Sequence, residues 1–583
     1  MSSSPERRIT DLPRAAASAH RLPLTAEAAL AGGGALALYL ATLQRGVSLP
    51  DSAVVMEAMQ RPVLSAFACN HTLNNLVGWL VCRLLPFGTL AWRCNVVAAG
   101  YGAAVATLFY VLARRLGASR PLAAVCTASL AVSHGVWWHA TVVENYLLSA
   151  VFFLACGLLL TPAQPVPLHE LPERRRFALG FLAGLSLLNH LQNGLLLAGC
   201  LLAPGRRGWR RAVGPVLAGA LMGVAPYLAL AVWEMASGRT GGHPLAWLLG
   251  GGGFGAAMFR YAPVGWVGEW ARLLVWNHPG PFLVAVAAGL IWTLTPAANR
   301  FRPLWRLAWV VIAGNSLFFL GYATWDRFSF FLAVWVAVDV AAAGWLAACE
   351  RNRPAAVRRL AVPLLALGVA AAPLFYTWQT RRLVEADRAG LLTRPWLPVV
   401  ETYRYRFDLA AMLLDPVRRD RGTIEAFLRR ALAAVPPGAV WVDDGSTYDQ
   451  VLWLQREEGL QPDVELLLLA HPLIPQRGTE AHALAMRCQW EASPRRWFVV
   501  TDQGAAAAFI GHLRPFGWQT RVFPVGHGGR LIELVRDAAQ APGKKARAGT
   551  RSQKRRAPIR AVEPARAPPR FRGGSVTGSS GAV

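Results

Sequence analysis

The chain has 583 residues, 54% hydrophobic and only 16% charged, well below the roughly 25% charged residues usual for soluble domains. Its 60 Lys+Arg against 33 Asp+Glu leave a formal net charge of +27. A chain both very apolar and very basic fits a polytopic membrane protein, and the long apolar runs of its first two-thirds exclude disorder, collagen, a disulfide-stapled scaffold and a single soluble core.

Residues 1–23, with Arg7, Arg8, Arg14 and Arg21, read as a cytoplasmic N-terminus. A bilayer-spanning helix needs about 20 apolar residues. Eleven windows predict such helices, at 25–45, 91–113, 121–138, 141–160, 177–189, 191–203, 212–233, 281–297, 304–323, 328–348 and 357–378. Together they define a transmembrane domain over 24–379, with a first outward loop at 47–75. The first window reads as an uncleaved anchor, because Gln44-Arg45-Gly46 after it lacks a small-x-small cleavage pattern. Arginines collect in alternate loops, at 114–120, 174–176, 206–211, 300–306 and 351–359, and such loops stay cytoplasmic. The alternation closes if 177–203 is a hairpin of two short helices turning at Asn189-His190, which predicts an N-in, C-out topology in the inner membrane.

From 380 to 540 the chain reads as a soluble domain, with charged helices at 383–434 followed by strand-helix alternation. Strands are expected at 439–443, 463–469, 497–501, 519–523 and 530–535, and helices at 447–458 and 504–514. This is the pattern of a small α/β domain. Residues 541–583 hold eleven Lys+Arg against one Glu, so ten of the surplus charges sit in a basic tail whose composition cannot bury enough apolar surface to fold.

Four segments could carry chemistry. In the first outward loop, Asp51 follows a Pro at the exit of the first span and His71 follows a short helical pattern. Glycosyl transfer from a lipid-linked donor needs a carboxylate near the interface to take the acceptor's proton, and donors to hold the phosphate leaving group. Asp51 suits the first task, although Pro-Asp-Ser is also an ordinary turn and cap sequence. In HGVWWHATVVENYLL, 134–148, Trp137 and Trp138 suit a headgroup belt, and Glu144 is either an intramembrane functional acid or a helix-start carboxylate. In GLSLLNHLQNG, 184–194, Asn189, His190, Gln192 and Asn193 meet between two short spans, as a binding cavity or a structural turn. In TWDRFSFFLAVWVAVDV, 324–340, Asp326 and Arg327 open a span that contains Asp339. The Arg327 guanidinium could hold a phosphate or form an interfacial salt bridge. The GGGGFG run at 250–255 reads as a flexible loop, and Asp443-Asp444-Gly445 as either a strand-end site or turn chemistry.

At these residues the chain resembles the protein O-mannosyltransferase-like family of the GT-C glycosyltransferase superfamily. The family's D-S-G-E corresponds to Asp51-Ser52-Ala53-Val54, and its His motif to Asn70-His71-Thr72-Leu73-Asn74-Asn75. LVGWLVCRLLPFG at 76–88, Trp92-Arg93-Cys94-Asn95, Trp138 to Leu148 through Glu144, Gly184 to His190, and Val435 to Val464 also match, in order. The family's second acid is Val54 here and its Pro-Gly is absent from the His motif, whereas the Asp and the His are kept. The resemblance implies an inverting membrane glycosyltransferase that passes a sugar from a polyprenyl-phosphate donor to a protein or glycan acceptor on the outer face. Asp51 is then the general base. His71, Glu144, Asn189, His190, Asp326 and Arg327 are the expected binding residues. No cofactor is expected, with a divalent metal left open, and the lipid bilayer but no nucleic acid is an expected partner. The alternative is a transporter or lipid flippase, or a non-catalytic member of the same fold, because intramembrane His, Glu and Asp also line transport paths.

Overall fold

The computed structural model describes residues 22–48, 51–67, 70–162, 166–238, 263–321, 327–352, 355–389, 414–417, 423–443, 447–469, 495–499, 509–511, 513–526 and 529–536. The chain enters through α1 (Leu24–Ala41), then two short helices, α2 (Ser52–Gln60) and α3 (Thr72–Leu84), of the first outward loop. The central helix is α4 (Leu90–Arg115). Thr89 starts it by accepting from Trp92 N–H through its side chain, and Arg114 and Arg115 close its last turn, where cations favour the helix dipole.

Next come α5 (Arg120–Val132), α6 (His134–Thr141) and α7 (Tyr146–Leu160). The expected span at 121–138 is therefore interrupted: Ser133 is extended, at φ −61° and ψ 141°, and ends α5 while α6 restarts at His134. The 141–160 window likewise becomes helical only at Tyr146. Trp137 and Trp138 are 2% and 0% exposed rather than set in a headgroup belt, because α6 is buried along its whole length.

The hairpin expected at Asn189-His190 is present, as α8 (Glu173–Leu185), two 3-10 turns (Ser186–Leu188 and Leu191–Asn193) and α9 (Gly194–Leu202). Helix α10 (Gly205–Ala236) packs on α8 through small residues. Gly180 and Gly184 lie against the backbone of Val216 and Ala220, and Gly219 and Gly223 against that of Phe177 and Phe181, so a Cβ at any of the four would strike main chain. Close backbone approach through small residues is how helices associate in lipid, and here it fixes the polar turn at the end of α8.

The remaining membrane elements are α11 (Pro263–Asn277), α12 (Pro281–Thr293), α13 (Arg302–Leu320), a short α14 (Arg327–Phe330), α15 (Leu332–Asn352) and α16 (Ala355–Arg388). Among the described residues five helices are long and apolar enough to cross a membrane, Leu24–Ala41, Leu90–Arg115, Trp209–Ala236, Phe328–Asn352 and Leu360–Leu383. A sixth arises if Pro281–Thr293 and Pro296–Phe319, bent by 85°, count as one span. Three more apolar helices, Arg120–Val132, Tyr146–Leu160 and Leu191–Leu202, are shorter, so several of the eleven windows correspond to short or broken helices.

Beyond the membrane helices, α17 (Thr423–Ala434) and α18 (Tyr448–Glu458) accompany a five-stranded sheet of β1 (Val440–Asp443), β2 (Glu465–Leu468), β3 (Trp497–Val499), β4 (Trp518–Gly526) and β5 (Gly529–Arg536). The order is β2-β1-β3-β5-β4. β1 pairs in parallel with β2 (Val442 opposite Leu467) and with β3 (Val442 opposite Val499), and β5 runs antiparallel to β3 (Ile532 opposite Val499). Val440, Val442, Trp497, Val499, Ile532 and Leu534 form its apolar layer with Phe509, Ile510 and Leu513. Gly459, at φ 66°, ends α18 in the left-handed conformation that lets the last carbonyls find donors.

Candidate functional site

Leaving α1, the chain is held by a buried amide. Asn95 of α4 donates from Nδ2 to the carbonyls of Gln44 (2.9 Å) and Gly46 (3.2 Å), while its Oδ1 accepts from Val143 N–H at 2.8 Å. Gln44 N–H also donates to Thr141 O at 3.0 Å, and Trp137 Nε1–H to Thr42 Oγ1 at 2.9 Å. One Asn side chain thus ties the approach to Asp51 to the approach to Glu144. Arg93, two residues earlier, donates to the carbonyls of Cys82 (2.8 Å) and Leu85 (3.2 Å) and closes α3.

Asp51 sits at the start of α2, exposed to solvent. Its carbonyl accepts from Val55 N–H at 3.0 Å, but its side chain makes no capping hydrogen bond. Asp51 thus stands at the N-cap position without a side-chain capping bond, and next to it Ser52 Oγ accepts from Ser48 N–H at 2.9 Å. The residues before Asp51 are also gripped from the soluble side. Glu425 Oε2 of α17 accepts from Val47 N–H at 2.9 Å, and Gln450 Nε2 of α18 donates to Ser48 O at 3.2 Å. Glu425 is in turn paired with Arg429 at 2.6 Å, and Arg429 with Glu458 at 2.5 Å. At the far end of α2, Arg456 pairs with Glu57 at 2.5 Å and Gln60 Nε2 donates to Glu457 at 2.5 Å.

His71, Asn189 and His190 come together. His71 starts α3 in the left-handed region, at φ 49° and ψ 46°, a conformation that costs a non-glycine residue about 1–2 kcal/mol and that surrounding contacts must hold. Its Nδ1 lies 2.7 Å from Asn189 O, which makes Nδ1 the donor and leaves Nε2 as acceptor. The ring stacks on His190, centroids 5.0 Å apart and planes 20° apart. His190 Nδ1 accepts from Gln192 N–H at 3.1 Å, and its ring meets Tyr146 at 5.7 Å and Phe330 at 5.6 Å. Burial holds the His71 imidazole down at about 4, against the opposing effect of the Asn189 carbonyl. His71 is therefore neutral at physiological pH.

Asn189 is buried and donates to Asn145 O (3.0 Å) and Ser149 Oγ (3.0 Å), and Asn193 also reaches Ser149 Oγ, at 3.1 Å. Asn145 adjoins Glu144, which is only 4% exposed. The polar turn of the α8–α9 hairpin is thus joined to the loop carrying Glu144. Asp326 lies outside the described residues, and Arg327 begins α14, its side chain not described. Asp339 is fully buried inside α15, with Oδ1 3.5 Å from His278 Nδ1. The Asp443 carboxylate is occupied by Thr447 N–H (3.2 Å), the Thr447 hydroxyl and Trp441 Nε1–H (3.3 Å), which is turn chemistry. Asp444, Gly445 and the GGGGFG run lie outside the described residues.

Sequence reasoning missed Glu234. This acid of α10, 1% exposed, accepts from Ser65 Oγ at 2.6 Å and Ala66 N–H at 3.0 Å, while Tyr227 donates to Ala66 O at 3.0 Å. It anchors the loop between α2 and α3. The available signal was an ionisable residue one position beyond the 212–233 window.

No family model and no curated protein matches the chain by sequence. Solved structures do match its fold. ArnT from Cupriavidus metallidurans in the apo state is similar with a TM-score of 0.55 at 15% identity, over 89% of this chain and 99% of that one. ArnT bound to undecaprenyl phosphate gives 0.53 at 14% identity, over 89% and 100%. This chain shares the fold of ArnT over nearly the whole of both chains. At this identity the likeness concerns fold.

Proposed function

We propose that the chain is a membrane glycosyltransferase, O-mannosyltransferase-like, that transfers a sugar from a polyprenyl-phosphate donor to a protein or glycan hydroxyl at the outer face of the inner membrane. The observation that carries this reading is the Asp51 carboxylate, exposed at the start of α2 in the segment that follows the first membrane helix. The GT-C fold, and the binding of undecaprenyl phosphate by ArnT, support a lipid-phosphate donor.

In this reading Asp51 takes the proton from the acceptor hydroxyl as its oxygen attacks the anomeric carbon. A new C–O bond forms, the bond from the anomeric carbon to the phosphate oxygen breaks, and the lipid phosphate leaves with the electron pair, so the anomeric centre inverts. The leaving phosphate needs donors aimed at its oxygens. His190, with Nδ1 occupied as an acceptor, carries its proton on Nε2 and can supply one, and Arg327 supplies a guanidinium fork. His71 and Asn189 hold the His190 ring, and Glu144 and Asp326 are assigned to acceptor hydroxyls.

The test is Asp51→Asn in the full chain reconstituted with a polyprenyl-phosphate sugar. The expected result is loss of transfer in a folded, inserted protein, and full transfer by this variant would sink the assignment. Lipid flipping by the wild type without any glycosidic product would establish the transporter reading instead.

A further inference from the structure

Helices α4 and α7 each have one end near the site above, at Asn95 and at Tyr146. At their other ends lies a cavity of about 480 Å³, lined by Arg115, Leu158, Leu159, Arg174, Arg175 and Ala178. Two of its arginines are fixed by the carbonyls that the end of a helix leaves over. Arg115 Nη1 donates to Leu158 O (2.7 Å) and Thr161 O (3.1 Å), and Arg175 donates from Nε to Leu159 O (2.8 Å) and from Nη2 to Leu158 O (2.8 Å). A guanidinium has five N–H donors, so both keep donors beyond those the carbonyls take.

The charge in this cavity is unbalanced. The adjacent Arg114 and Arg120 share Glu27. Among the described residues none of Arg115, Arg174 and Arg175 has an ion-pair partner, and none of the other lining residues is acidic. Burial, and then the neighbouring Arg115 charge, hold the Arg175 guanidinium below its ordinary range. Like charges held together without a counter-ion are unfavourable unless an anion joins them. The remaining lining residues, Leu158, Leu159 and Ala178, are apolar.

We propose that this cavity binds a phosphate group, with Arg115, Arg174 and Arg175 as its donors and Leu158 and Leu159 against an attached apolar moiety. Guanidinium forks match phosphate oxygens in pairs, and a lining that is half arginine and half aliphatic favours the headgroup of an anionic phospholipid drawn from the adjoining leaflet. The volume lies in the range of small-molecule sites, roughly 300–1,000 Å³. The site is independent of the glycosyltransferase reading, since none of its residues takes part there.

The experiment uses the full chain in nanodiscs of equal phosphatidylglycerol and phosphatidylcholine, with bound lipid counted by native mass spectrometry after release. Phosphatidylglycerol should be retained about tenfold over phosphatidylcholine, the worth of one or two charge-assisted hydrogen bonds. Arg174→Ala, which removes an exposed side chain, should cut that preference several-fold while leaving the melting temperature unchanged. Arg115→Ala should abolish the preference, and Arg115→Lys should retain part of it. A parallel arm adds inorganic phosphate to lipid-free protein in detergent. Stabilisation there, lost in Arg174→Ala and without a lipid preference in the nanodisc, would assign the same donors to a soluble phosphate compound. Equal retention of both lipids together with no response to phosphate overturns the proposal, as does a preference untouched in folded Arg174→Ala and Arg115→Lys variants.

Discussion

Two aspartates of this chain sit in opposite surroundings. Asp51 is exposed at the start of a short helix, and the backbone before it is held by Asn95 at Gly46, by Glu425 at Val47 and by Gln450 at Ser48. Asp339 is 0% exposed in the middle of α15, with the imidazole of His278, itself buried, 3.5 Å away. By the rule that an ionisable group inside a membrane segment is functional, Asp339 is the stronger candidate. The structure separates the two by access. An acceptor hydroxyl can reach Asp51, whereas Asp339 is packed within the bundle. A membrane acid is informative about chemistry only when a substrate can arrive at it.

The largest expected effect follows directly. Asp51→Asn should lower transfer by about 10³-fold, within the range for loss of a general base, with thermal stability unchanged because the side chain is exposed. Asp339→Asn should leave the transfer rate within about threefold, a barrier change below about 1.4 kcal/mol, because that side chain is packed out of a substrate's reach. Reversal of this pair, with Asp339 essential and Asp51 dispensable, would overturn the comparison. Rates and melting curves measured on the same preparations decide it.

How much of this was legible in the sequence differs by the range of the contact. Local patterns survived well. The break at Asn189-His190 and the run of strands after residue 435 could be read, because turn chemistry and two-residue alternation are properties of a few consecutive residues, whereas Asn95 stood only as the end of a matched motif with no role attached to it. Helix length was less legible. Hydropathy does not register the extended Ser133 that divides α5 from α6, nor the 85° bend between Thr293 and Pro296. Least legible were the long-range grips. Val47 meets Glu425 across 378 positions and Ser48 meets Gln450 across 402, and nothing in either segment's periodicity names the other. Glu234 was hidden differently, by falling just past the apolar window that defined its helix.

These grips offer the next way to sharpen the contrast. Asn95→Ala removes two donated bonds and one accepted bond. It leaves buried main-chain groups without partners, at a cost of about 1–3 kcal/mol each. Transfer should fall between about tenfold and a hundredfold, since small misplacements of reacting groups cost rates of that order. Asn95→Asp keeps the acceptor for Val143 and should lie between the two. An unchanged rate in Asn95→Ala would mean that the approach to Asp51 does not need this tether. Glu425→Ala should act more mildly, because Gln450 still holds Ser48. We expect kcat to fall about tenfold with KM for the lipid donor unaltered, the split expected when a group is mispositioned and binding is intact. Glu425→Gln, which can still accept from Val47 N–H, should recover most of the loss. Equal defects in both variants would trace the effect to the Arg429 ion pair instead.

The smallest effect concerns the acid beside that grip. Asp449 precedes Gln450 in α18, and burial, followed by the charges of Asp443 and Glu57, raises its carboxyl to about 6. Its pKa is higher folded than unfolded, near 3.9 for a free Asp, so its contribution favours the folded protein below the unfolded value and is lost as pH rises through about 6. Above that pH the α18 end of the grip holds a buried, repelled carboxylate next to the residue that bonds Ser48. Asp449→Asn should therefore stabilise the protein at pH 7.5 by a small increment in melting temperature, and the gain should shrink toward pH 5, where the wild-type carboxyl is already protonated. The same variant should leave the transfer rate at pH 5.5 unchanged, which separates a group acting on docking from one acting on the reaction. A stabilisation equal at both pH values would show that the charge of Asp449 is not what loosens this side of the Asp51 loop.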